Sequence, residues 1–123
     1  MSMETISIYA VGLSASNPGP ATISVQINAA DGRALHDISQ SIGNATDDFA
    51  AYQAVASGLL AAAQICGGKT VDMRFELRLK NKSVKEQLSA EAQIDNPGLV
   101  PLFIEIHNLR VAQFPNLVFA YLE

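Results

Sequence analysis

The chain has a single cysteine, Cys66, in 123 residues. No internal disulfide can form, so a disulfide-framed secreted fold is excluded and a cytoplasmic location is the expectation. Charge is scarce: Asp, Glu, Lys and Arg together make up 16%, with 8 basic against 12 acidic residues, a formal net charge of −4 and a pI near 5.0. Phosphate contacts supply most of the affinity of nucleic-acid binders, which usually carry a basic balance. An acidic total leaves room for a local basic patch but weakens the case for nucleic acid as a partner. No stretch comes near the roughly 18 uninterrupted apolar residues of a membrane span. Met1 to Ile6 carries neither a basic region nor an apolar signal core, so no membrane association is expected. There is no internal repeat, no Ser/His/Asp set and no phosphate-cradling glycine loop. His36 and His107 fall on different predicted elements without ligand-like spacing. Cys66, beside Gly67, has no sequence partner that would make it a nucleophile and reads as a small, buried or half-buried residue.

What is present is a rather apolar chain, 49% hydrophobic, of a length that suits one domain over residues 1–123 with one core. Ile6, Ile8 and Ala10 alternate with Ser7, Tyr9 and Val11, which predicts a first strand. Pro18-Gly19 suits the centre of a type II turn. Ile23, Val25 and Ile27 alternate with Thr22, Ser24 and Gln26 over a second strand, Ala21 to Asn28. Asp31-Gly32 is a hairpin signal leading to a third strand, Arg33 to Ile42. Thr46 followed by Asp47-Asp48 predicts an N-cap and two acids that complement the helix dipole. The helix runs from there to Gly67-Gly68, and alanines fill most faces that Phe49, Tyr52, Val55, Leu59 and Leu60 do not. A helix with so little polar surface is expected to be buried on several sides. Val71, Met73, Phe75 and Leu77 predict a fourth strand. A short helix over Asn81 to Ala90, a second one capped by Asn96-Pro97, and a last strand, Leu117 to Leu122, complete the order β-β-β-α-β-α-α-β. Strands separated by helices pair in parallel through right-handed crossovers.

Both the order and the residues resemble the ribonuclease H-like family, in its bacterial and archaeal branch. Tyr9-Ala10-Val11-Gly12-Leu13-Ser14 followed by Asn17-Pro18-Gly19-Pro20-Ala21 is similar to the family's opening strand and turn. Ala45-Thr46-Asp47-Asp48-Phe49-Ala50-Ala51-Tyr52 is similar to the opening of its first helix. Glu86-Gln87-Leu88, Asn96-Pro97-Gly98-Leu99 and Phe114-Pro115-Asn116 resemble later landmarks, in order. The resemblance implies an α/β fold: a five-stranded mixed sheet in the order 3-2-1-4-5 with flanking helices. It also implies a nuclease built on four carboxylates that hold two divalent metals. In this chain the family's first-strand aspartate falls at Val11, its first-helix glutamate at Ala51 and its fourth-strand aspartate at or near Lys80. The fourth carboxylate and a catalytic histidine belong to a final helix and loop beyond the fifth strand, and the chain ends at Glu123 before them. Valine, alanine and an ammonium offer nothing to a cation that wants anionic oxygens.

The resulting expectation is a ribonuclease H-like pseudoenzyme with no catalytic residues, metal or cofactor, serving as a binding or assembly module. Two alternatives stand beside it: a nucleic-acid or RNA/DNA-hybrid binder that no longer cleaves, and a metal-dependent ribonuclease H with a rebuilt site. For the binder, Asn17 and Thr46 match groove-lining positions of the family, though a turn and an N-cap explain them as well. Arg78, Lys80, Lys82 and Lys85 form the most basic run, at a strand end leading into a helix, although a charge run is more often a solvated surface than a phosphate contact. Asp47 and Asp48 would repel phosphates. For the rebuilt site, Asp72 and Glu76 share a parity with Arg74 between them, which suggests a surface ladder. A homodimer is also expected, or contact with another protein. The predicted surface is the last strand, the helix before it, or the first helix, whose Ala50, Ala54, Ala61 and Ala62 would allow close approach.

Overall fold

The computed structural model describes residues 5–16, 19–90, 93–94 and 96–122. Alternation in the sequence becomes alternation in burial. In β1 (Thr5–Ser14), Ile6, Ile8 and Ala10 are buried; in β2 (Gly19–Asn28), Ala21, Ile23, Val25 and Ile27 are. β3 (Ala34–Ala45) follows, then α1 (Asp47–Cys66), a 3-10 segment (Gly67–Asp72), β4 (Arg74–Leu79) and α2 (Lys82–Leu88). A 3-10 turn (Pro97–Leu99), α3 (Val100–Gln113) and β5 (Leu117–Tyr121) close the order. The sheet runs β3-β2-β1-β4-β5, with β1/β2 and β2/β3 antiparallel and β1/β4 and β4/β5 parallel. This is the expected topology.

Local signals acted as their chemistry requires. Thr46 accepts the Phe49 N–H (3.1 Å) and caps α1, while Asn81 accepts the Val84 N–H (3.1 Å) and caps α2. Gly32 sits at φ +88° and its N–H donates to the Ala29 carbonyl (2.9 Å). The Ala29 N–H meets the Arg33 carbonyl (2.8 Å), so the hairpin carries a three-residue loop rather than a two-residue one. Of the turn expected at Pro18-Gly19, Pro18 lies outside the described residues, and Gly19 already opens β2.

α1 is where the apolar count goes. Its length and composition alone would suit a membrane span: the Asp47–Asp72 stretch has a mean hydropathy of 1.4 over its best window. Ala50, Ala54, Val55, Leu59 and Ala62 are fully buried, packed on β1 and β2. A β-carbon at Gly58 would stand 3.0 Å from Ile8 Cγ2 and 3.2 Å from Val25 Cγ1, so the helix lies directly on the sheet. The small residues therefore seat α1 within its own core. The expectation that Ala50, Ala54, Ala61 and Ala62 offer a surface to another chain is corrected: all four are buried. Val84 and Leu88 of α2, Ile106 of α3 and Phe119 of β5 join the same core cluster. Phe75 and Phe114 meet edge-to-face at 4.8 Å.

A second correction concerns the start of β4. Val71 and Asp72 lie in the 3-10 segment, and Val71 is exposed. The chain must leave α1 through Gly67, at φ +61°, and turn before it can enter the sheet, which uses up the residues whose alternation suggested strand. The supposed ladder of Asp72, Arg74 and Glu76 is thereby broken; the charged pair in the strand is Glu76 with Arg78.

Candidate functional site

The crossover from β1 to its parallel neighbour β4 places the ends of these two strands side by side. Ala10 pairs with Leu79, so the next residues along, Val11 and Lys80, are neighbours at the strand ends. The N-terminal turns of α1 close the third side. They can do so because residue 12 is glycine: a β-carbon there would fall 2.1 Å from the Ala50 carbonyl carbon and 2.3 Å from Ala51 N. The result is a pocket of about 180 Å³ lined by residues that include Val11, Leu13, Asp47, Ala51, Lys80 and Asn81. Open α/β sheets tend to bind ligands at such strand ends.

Its walls are held by polar contacts between residues far apart in sequence. Asp47 Oδ1 accepts the Ser14 N–H at 2.7 Å, tying the start of α1 to the end of β1. Asn81 Nδ2 donates to Asp48 Oδ1 at 2.7 Å, and the buried Tyr52 hydroxyl donates to Gln87 Oε1 at 2.6 Å; together these fasten α1 to α2. Burial first, and the Asp48 carboxylate second, push the Tyr52 phenol up to about 12.

The three residues on which the resemblance places the family's carboxylates, Val11, Ala51 and Lys80, do line one pocket. Val11 is half-buried, Ala51 buried and Lys80 exposed. The Lys80 ammonium has no hydrogen bond or ion pair among the described residues. The lining holds one carboxylate, Asp47, already engaged by a backbone N–H. Among the described residues no group of three or more His, Cys, Asp or Glu side chains is placed to hold a metal ion.

The basic run does not stay together. Arg78 Nε donates to Glu76 Oε1 at 2.7 Å on the sheet surface. Lys85 reaches over the Tyr121 ring, 4.8 Å from its centre. Only Lys80 lines the pocket, with Lys82 exposed at the first turn of α2. Thr46 caps α1 and lines a different pocket of about 300 Å³, with Asn44, Phe49, Asn96 and Leu99 among its walls; the two pockets share no lining residue. Asn17 lies outside the described residues. The Ser14, Asp47, Asp48, Asn81, Tyr52 and Gln87 contacts went unread in the sequence, because partners 33 to 35 positions apart leave no local signal.

A mixed sheet in this order, with its helices joined in one core and a pocket at the β1/β4 strand ends, defines the ribonuclease H-like fold class. The solved structure of LC11-RNase H1 in complex with an RNA/DNA hybrid is similar at a TM-score of 0.90 and 34% identity, over 95% of this chain and 84% of that one. LC11-RNase H1 was isolated from compost by a metagenomic approach. The N-terminal RNase H domain of Rv2228c from Mycobacterium tuberculosis is similar at 0.84 and 28%, over 97% of this chain and 87% of that one. The curated bifunctional protein Rv2228c is 32% identical over 103 residues, 83% of this chain; the chain spans about a quarter (27%) of its length. No family model matches the chain. By this likeness to LC11-RNase H1, the chain belongs to the ribonuclease H family.

Proposed function

We propose that this domain has lost nuclease chemistry and serves as a binding or assembly module. The observation that carries the reading is the make-up of the pocket: Val11, Ala51 and Lys80 occupy the positions where the family resemblance calls for metal-binding acids. A pair of divalent cations needs several anionic oxygens. Asp47 is a single carboxylate, and the Lys80 ammonium sits in the same pocket, where it repels a cation rather than holding one. The residues present do not fit the metals that the family's chemistry uses. A pocket of this composition is drier and less anionic than a metal cleft, and suits contact more than catalysis.

A second reading, hybrid binding without cleavage, is favoured by one observation: the similar LC11-RNase H1 was solved with an RNA/DNA hybrid. Lys80 and Lys82 would be the phosphate contacts. Against it stand the acidic pair Asp47-Asp48 beside the pocket and the prior engagement of Arg78 and Lys85. Calorimetry with manganese, paired with hybrid binding at low salt, separates these readings. No heat of manganese binding supports the loss of the metal site. Salt-sensitive hybrid binding that weakens in Lys80→Ala favours the second reading, and a saturable manganese site abolished by Asp47→Asn overturns both.

A further inference from the structure

β3 ends the sheet on one side, and its outer edge pairs with nothing among the described residues. From Ile38 to Ala45 this edge contains no charge and no proline, two of the devices that keep an open edge from pairing; the one it carries is a bulge, at Ile42. Within it, Ile38-Ser39-Gln40-Ser41-Ile42 reads the same in both directions. We propose that the β3 edge pairs with the β3 edge of a second copy of this chain, antiparallel, about a two-fold axis at Gln40.

An antiparallel two-fold pair brings each residue opposite its mirror position in the sequence. Ile38 then faces Ile42 of the second copy, Ser39 faces Ser41, and Gln40 faces itself. Cross-strand neighbours point to the same face of a sheet, so like meets like on both faces. Ile38 and Ile42 are half-buried and pack against the domain's own core, leaving apolar surface at the sheet margin. Apposed across the axis, the two isoleucine pairs continue the core over the seam. On the other face the Ser39–Ser41 pairs extend the hydroxyl row already made by Ser24 with Ser39 and Thr22 with Ser41. Electrostatics do not oppose the register: Asp37 would face Gly43 and His36 would face Asn44, so no like charges meet. α1 packs on β1 and β2 with marginal contact to β3, which leaves room beside the edge. The ladder has natural ends. Ile42 is the extra residue of a bulge that shifts the register with β2, and Gly43 follows at φ +80°, bending the strand away. Asp37 bounds the other end.

A ladder this short makes a small interface, so association belongs in the micromolar range or weaker. This surface is distinct from the pocket and does not rest on whether the domain cleaves. The test is sedimentation equilibrium of the full chain from low micromolar to submillimolar concentration. Wild type is expected to rise from 13.1 kDa toward twice that mass. The exposed double substitution Ser39→Lys with Ser41→Lys sets lysine against lysine across the axis and should hold the chain at monomer mass. Ser39→Lys with Ser41→Asp sets lysine against aspartate and should restore the rise. In a Cys66→Ala background, Gln40→Cys should cross-link to itself on mild oxidation, since opposed strand residues lie about 4.5–5.5 Å apart between α-carbons. A wild type that stays monomeric throughout overturns the proposal. So does association that the lysine pair leaves unchanged, which would place the contact elsewhere, as on the exposed Ile104 and Val111 of α3.

Discussion

Replacing Tyr52 with phenylalanine isolates the link that fastens α1 to α2. The side chain is fully buried, and its hydroxyl donates to Gln87 Oε1 at 2.6 Å. Tyr52→Phe keeps the ring but leaves that oxygen without its donor, which costs about 1–2 kcal/mol at pH 8. The same geometry sets a pH signature. Burial, with help from Asp48, raises the phenol from 10.0 to about 12. The fold favours the neutral phenol, so its stabilisation is complete below pH 10 and is lost as pH rises through 12. At pH 11 wild type should have lost about 1.4 kcal/mol through this residue, on the order of one pK unit of differential protonation. The variant has no phenol at this position and loses nothing through it. Urea melts of both proteins at pH 8 and pH 11 should therefore show the gap between them narrowing by that amount, while lysine titration common to both cancels. A gap that is absent at pH 8, or that stays constant to pH 11, would refute the buried phenol and its contact with Gln87.

Gly12→Ala should be among the most damaging single-methyl changes, since its β-carbon meets the Ala50 backbone at 2.1 Å and backbone cannot rotate away. A loss of about 3 kcal/mol or more in denaturant melts is expected, and an unchanged midpoint would mean that α1 does not approach β1 as described. Val11→Asp should cost about 1 kcal/mol or less, because Val11 is only half-buried and shares its pocket with Lys80. A larger loss in the same melts would place Val11 in the core.

The fold was legible where burial has one cause. β1 and β2 each press a single face on α1, so period-two alternation marked them, and Thr46 announced its helix through capping chemistry; the matching cap at Asn81 emerged only in the structure. Legibility failed where a side chain's partner came from elsewhere. Val71 alternates with Met73 and Phe75 like a strand residue, yet the exit from α1 draws it into a 3-10 turn. Small residues on α1 looked like an invitation to another chain, but the sheet beneath them was the element they approach. The pocket was half legible. Val11, Ala51 and Lys80 were found through the family pattern, and the register of β1 with β4 brings Val11 beside Lys80. The run from Arg78 to Lys85 looked like one patch, because sequence proximity hides direction. Arg78 stands on the sheet surface with Glu76 and Lys85 turns toward Tyr121, leaving Lys80 as the run's one basic residue in the pocket lining.

The pocket at the β1/β4 ends is proposed to support contact without phosphodiester cleavage. Incubation of the purified chain with an end-labelled RNA/DNA hybrid, in magnesium and separately in manganese, tests it most directly. Intact RNA is expected in both metals, at the level of a metal-chelated control. Cleavage that requires the metal, is abolished by chelation and follows the protein through successive purification steps would contradict it.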